Sequence, residues 1–276
     1  VRTRTPIRQR LLGVLCGLIA IAAGIAAAWP VHAKETATPT RRANRLGVST
    51  GFDWSTGDYG ESLSTEIWYV PLNVRYEWQH WLFRVTVPYI RVTGPGNVVV
   101  GGDGVIVAGT QTRRETRDGV GDVIAGVTYR LDPPLPAFPY LDFTVKAKFP
   151  TASRSAGLGT GEFDTTLQVD VMKPLGALTP FATLAYRFVG DPPGTSLHNT
   201  LAATLGLDWR LSRALSAGLY YGWRQTASDS LGDAHDLVPY LSWKVGRHFT
   251  IGPYVEVGFS TAAPDVGVGL QLGFKQ

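Results

Sequence analysis

The stretch WYVPLNVRYEWQHWLFRVTVPY, residues 68–89, decides the fold. As far as Trp78 its even positions read Trp68, Val70, Leu72, Val74, Tyr76 and Trp78, while Asn73, Arg75 and Glu77 stand at odd ones. After Gln79-His80 the apolar set continues as Trp81, Phe83, Val85, Val87 and Tyr89, interleaved with Arg84, Thr86 and Pro88. A period of two sends successive side chains to opposite faces of an extended chain, so each run is a strand with one wholly apolar face. About ten tilted residues cross a bilayer, and aromatics at both ends suit the headgroup zones. The join between the two runs has room only for a hairpin, which makes them antiparallel.

The same rule holds along the chain in both directions. Val123, Ala125, Val127 and Tyr129 oppose Asp122, Thr128 and Arg130; Leu141, Phe143, Val145, Ala147 and Phe149 oppose Asp142, Lys146 and Lys148. Leu167, Val169 and Val171 oppose Asp170, Leu184, Tyr186 and Phe188 oppose Arg187, and Leu205, Leu207 and Trp209 alternate with Asp208 and Arg210. Four further segments, rich in Leu, Val, Trp and Phe, run from Leu215 to Phe274, and a first strand near Leu46 to Trp54 completes a set of about twelve. A soluble sandwich also alternates, but it turns its apolar face inward.

Connection lengths choose between the two. Joins after Trp78, Leu131, Lys173, Leu211 and Val245 are short, and they alternate with longer ones at 53–64, 93–118, 150–162, 189–198, 225–236 and 260–265. Short turns on one side and long loops on the other are the layout of an outer-membrane barrel. Hydrocarbon offers the backbone no hydrogen-bond partner, so such a sheet has to close. The expected fold is therefore an all-β, closed antiparallel transmembrane barrel over residues 45–276, behind a short disordered segment at 34–44.

Residues 1–33 read as a cleavable signal peptide. Arg2, Arg4, Arg8 and Arg10 precede an apolar run from Leu11 to Ala28, and Val31-His32-Ala33 makes a small-residue cleavage site. That segment takes four of the 26 basic residues and none of the 22 acidic ones, so the remainder balances at 22 against 22. No clustered positive charge is left to displace counterions from phosphates, and a nucleic-acid partner is not expected. The lone Cys16 lies inside the apolar run, so the exported part can have neither disulfide nor thiolate metal site.

Enzyme patterns are weak. Gly47-Val48-Ser49-Thr50-Gly51 fits a nucleophile elbow in letters only, because no helix follows. The glycine-rich run from Gly157 to Gly161 lacks the lysine of a phosphate loop and reads as a flexible loop tip. His80, His198, His235 and His248 have no metal-ligand spacing to one another. No cofactor, metal site or catalytic residue is expected. The polar face is expected to line the lumen with Arg75, Arg84, Asp122, Arg130, Asp142, Lys146, Lys148, Asp170, Arg187, Asp208, Arg224 and Glu256. These charges either select solutes in a hydrated pore or pair with one another and plug it.

Particular runs resemble a known family. GVGDVIAGVTYRL at 119–131 and VKAKFPTASRSAGLGTGEFD at 145–164 are similar to the transporter-like outer-membrane family named for the MetA pathway of phenol degradation. The first run carries its G-x-G-D strand opening, and the second its K-x-P-T segment and G-L-G-T-G loop; GFDWSTGDYG at 51–60 and the stretch at 69–96 add to the likeness. The resemblance implies an outer-membrane barrel that passes small organic, often aromatic, compounds and has no catalytic residue. Its partners would be outer-membrane lipid, the barrel-assembly machinery and a small solute. The alternatives are an outer-membrane enzyme acting on lipid and a non-conducting structural or adhesin barrel.

Overall fold

The computed structural model describes residues 44–96, 98–101, 104–107, 113–228 and 231–276. The signal-peptide reading and all but the last residue of the 34–44 segment lie outside it. All regular structure among the described residues is β. The strands are β1 (Arg45–Gly57), β2 (Thr65–Trp78), β3 (Trp81–Pro95), β4 (Val98–Gly101), β5 (Gly104–Val107), β6 (Arg114–Val120), β7 (Val123–Leu131) and β8 (Tyr140–Phe149). They continue as β9 (Asp164–Met172), β10 (Leu178–Phe188), β11 (Thr200–Arg210), β12 (Leu215–Arg224), β13 (Ala234–Val245), β14 (Phe249–Gly258) and β15 (Val266–Lys275).

Around the ring, neighbouring strands pair antiparallel, β4 and β5 pair only with each other, and β1 pairs both with β2 and with β15, from Gly47↔Lys275 to Thr56↔Val266. That seam closes the ring. Two strands share one place in it: β6 and β7 both lie on β3, and their register slips by one residue between Tyr89↔Val120 and Thr86↔Ile124. Gly121 and Asp122 form the bulge between them, and the Gly121 N–H donates to the Pro88 carbonyl. A bulge bends a strand and resets its faces. Counting β6–β7 once gives the closed twelve-strand barrel. Carried once around the ring, the register returns to β1 displaced by about 14 residues, a stagger that tilts the strands by about 40°.

The described parts of the segment expected as a loop at 93–118 are strands. β3 runs on to Pro95, β6 starts at Arg114 on the same wall, and β4–β5 form a separate hairpin. The first strand likewise extends to Gly57 and β13 begins at Ala234, so the joins expected at 53–64 and 225–236 are shorter than the sequence suggested. In both cases the ladder continues past the last lipid-facing apolar residue, because backbone pairing needs no hydrophobic side chain to support it.

The apolar face points outward. Leu72, Val74, Val85, Val87, Val145, Leu167, Leu184, Leu205 and Leu219 are all exposed, and a soluble sheet would bury such a set. Trp78, Trp81, Tyr129, Trp209, Trp243 and Phe249 ring the end with the short turns, while Tyr89, Phe149, Phe163, Phe188 and Phe259 ring the other. These are the two aromatic girdles of a membrane barrel. Val85, midway up β3 and 44 % exposed, tests the assignment. Val85→Arg is expected to cost about 2–4 kcal/mol of folding stability in a bilayer, read by denaturant titration of refolded protein. An unchanged midpoint would mean that this face does not meet lipid.

Candidate functional site

The inward parity collects the charge. All twelve residues named above stand on the face opposite the apolar one, and they form two layers. Nearer the long loops, Lys148 Nζ lies 3.2 Å from Asp122 Oδ2 and 3.1 Å from Asp164 Oδ2, and it donates to Thr160 Oγ1 at 3.0 Å. Asp122 accepts from the Ala152 N–H at 2.9 Å, and Asp164 accepts from the Gly190 N–H at 3.0 Å. A single buried ammonium thus ties β7, β8 and β9 to two loops. Such a charge is tolerated inside only when fully partnered.

Leu158 completes the tether, packing at 2 % exposure with Tyr59, Ile67, Ile90 and Val92. The 157–161 run is therefore no flexible tip. Its Leu158 and Thr160 are buried, and Gly157 and Gly161 take positive φ to turn it inward. The same layer continues with Arg224, whose Nη1 lies 3.2 Å from Asp236 Oδ2, and with buried Asp53 and Glu256. Among the described residues Asp53 Oδ1 and Glu256 Oε1 have no hydrogen-bond partner. Arg187 stands at the head of β10, opposite Thr166 and Thr200, and Lys146 sits between Gly126 and Thr166. On the rim, burial and then the neighbouring charge of Asp58 raise the Asp265 carboxyl above its ordinary pKa, so this loop sheds charge early on acidification.

Nearer the short turns, Arg130 lies 3.6 Å from Glu77 and 3.7 Å from Asp142, and Lys275 lies 3.3 Å from Glu77. Asp170 accepts from Thr183 at 2.6 Å and from Gln168 at 2.8 Å, and Asp208 accepts from the Tyr240 hydroxyl at 3.3 Å. Arg75 and Arg84 face each other across β2–β3, and among the described residues neither reaches an ion-pairing carboxylate.

Several inward groups were not singled out from sequence. Asp53 lies where the expected first strand, Leu46 to Trp54, overlaps the join at 53–64, Asp236 lies in the join at 225–236, and Asp164 falls just before the β9 apolar run. Lys275 is the penultimate residue. The parity of the adjoining strands was a usable signal for each, since Asp53 alternates with Phe52 and Trp54, and Asp236 precedes Leu237.

The histidines lie apart from this interior. His80 and His248 occupy short turns, His198 donates its N–H to the Ala227 carbonyl in a loop, and His235 Nδ1 pairs with the Tyr221 hydroxyl at 2.6 Å near the long-loop end. No group of three metal-ligating side chains converges among the described residues. Ser49 lies mid-strand in β1.

Closure, girdles and an inward charged face define an outer-membrane β-barrel. The model of the family described as "Putative MetA-pathway of phenol degradation" matches residues 43–275, and the chain belongs to that family. Among solved structures it is similar to the COG4313 outer membrane channel from Pseudomonas putida F1, with 16% identity, 88% of this chain and 100% of that one covered, and a TM-score of 0.58. The NanC porin matches at 10% identity over 83% of this chain and 97% of that one, with a TM-score of 0.52. The translocator domain of the autotransporter NalP from Neisseria meningitidis matches at 14% identity over 84% and 87%, with a TM-score of 0.50. At these identities the likeness is one of fold. No curated protein matches the chain.

Lys148→Met is expected to cost about 3–5 kcal/mol, because Asp122 and Asp164 would stay buried without their cation. It should also release the 150–163 loop, which increased proteolysis near Arg154 would report. Unchanged stability and protease resistance would remove the tether from the account.

Proposed function

We propose that the barrel is a passive conduit for small organic solutes across the outer membrane. The observation that carries this reading is the continuous polar inner face of a closed twelve-strand ring, whose two charge layers carry both signs. Eight strands leave an interior filled by side chains and about sixteen leave an open channel, so twelve suit a narrow path that charge can control. Two of the similar structures, a channel and a porin, point the same way. The lumen field is supplied by Arg75, Arg84, Arg130, Lys146, Lys148 and Arg187, against Asp122, Asp142, Asp170, Asp208 and Glu256, with Arg224 paired to Asp236. Residues 1–33 act as the export signal, assembly machinery inserts the barrel, and the protein works without a cofactor or catalytic group.

One observation favours a second reading. The inward-folded 150–163 loop, with Leu158 in an apolar cluster and Thr160 on Lys148, narrows the long-loop end, as a non-conducting structural barrel would require. A lipid-acting enzyme would need a serine, a histidine and a carboxylate on one patch.

Reconstituted protein should swell liposomes in small sugars and amino acids and conduct in planar bilayers. Reversing the charge of Lys146, Arg84 and Arg187 together should shift ion preference toward cations. Absent conductance and swelling would leave the structural reading, and an unaltered preference would take these groups out of the lumen field.

A further inference from the structure

The interior also carries an aromatic wall that neither charge layer uses. Phe181 of β10, Tyr220 of β12, Tyr240 of β13 and Tyr254 of β14 all point inward by strand parity, opposite to Leu184, Leu219, Leu241 and Val255 on the lipid side. Three of the rings have a seat. Phe181 occupies the space that a side chain on Gly206 would fill, Tyr240 that of Gly218, and Tyr254 that of Gly269, each glycine lying on the neighbouring strand. A ring packed over a bare stretch of backbone lies close against the wall; Tyr240 is buried there, while Phe181, Tyr220 and Tyr254 stay partly exposed. Tyr240 is pinned further by its hydroxyl on Asp208, and its ring centroid lies 6.3 Å from that of Tyr220.

The ring order fixes what the wall faces. β10 to β14 lie across the barrel from β2 and β3. When the stagger of the strands is allowed for, the four rings stand at the level of Arg75 and Arg84. Among the described residues neither guanidinium comes within ion-pairing distance of a carboxylate, whereas Arg130 beside them is held by Glu77 and Asp142. An unpaired guanidinium in a narrow interior is costly and leaves its planar fork open to an oxyanion. Aromatic side chains opposite such forks match a molecule that is apolar and aromatic at one end and anionic at the other.

We propose that this level of the lumen is a selectivity site for monocyclic aromatic carboxylates, with Arg75 and Arg84 taking the carboxylate and the rings of Phe181, Tyr220, Tyr240 and Tyr254 the arene. The inference rests on the conduit reading and narrows it from small organic solutes to aromatic acids as their anions. An aliphatic ring acid of the same size and charge gains from the arginines but less from the wall.

The test is a planar-bilayer measurement with the whole exported chain, under bi-ionic conditions with potassium benzoate on one side and potassium cyclohexanecarboxylate on the other. Benzoate should be the more permeant by about five-fold, the scale of one aromatic contact. In Tyr254→Leu/Phe181→Leu the ratio should fall to about one. In Arg75→Gln/Arg84→Gln both carboxylates should lose permeability relative to potassium, by about ten-fold, with Arg84→Gln alone giving a smaller loss of the same sign. Heat-modifiable gel mobility reports whether each variant has folded; if none does, the benzoate ratio of the unaltered protein decides. A conducting pore that passes the two acids equally would overturn the selectivity site and leave the conduit intact. A protein that carries no current would overturn both.

Discussion

The structure depends on the backbone amide in hydrocarbon. A peptide group that meets lipid without a partner costs several kcal/mol, and only a helix or a ring of strands satisfies all of them. Here the β1–β15 ladder from Gly47 to Thr56 supplies the last row of pairs and leaves no edge. Closure in turn imposes tilt and stagger, and these decide which side chains share a level inside. The Gly121-Asp122 bulge fits the same frame: it lets one wall position hold both β6 and β7 while sending Asp122 inward to Lys148.

Lipid claims one face of every strand, so everything polar collects on the other. That interior is too narrow to hydrate so many charges freely, and most of them are matched. Lys148 between Asp122 and Asp164, Arg130 between Glu77 and Asp142, and Arg224 with Asp236 are the result. Buried pairs of this kind add little net stability but are expensive to break, because each leaves an uncompensated charge. Against this matched background Arg75 and Arg84 stand out.

Gly206, Gly218 and Gly269 belong to the same economy of space. Glycine on the inner face lets an aromatic from the next strand pack close against the wall, as Tyr240 does over Gly218. At the long-loop end the opposite happens. Leu158 and the residues around it fold into the mouth, held by the tether to Lys148 and by their own apolar cluster.

Period-two alternation, turn spacing and family motifs made the barrel, its direction and the faces of Arg84, Lys146 or Asp208 legible in the residues alone. This worked because lipid enforces the pattern locally, residue by residue. Strand ends were less legible: β1 runs on past Trp54 to Gly57 and β13 begins before Leu237 at Ala234, where hydrogen bonding persists but the hydrophobic signal stops. The inward fold of Leu158 was hidden too, since a glycine-rich loop reads as solvent-exposed unless its distant partners Ile90 and Val92 are known. By itself, then, the sequence determined which side of each strand meets lipid and which meets the lumen. Only the tertiary structure decided which lumen groups share a level and which charges neutralise one another, because both follow from the stagger of a closed ring, which no single strand encodes.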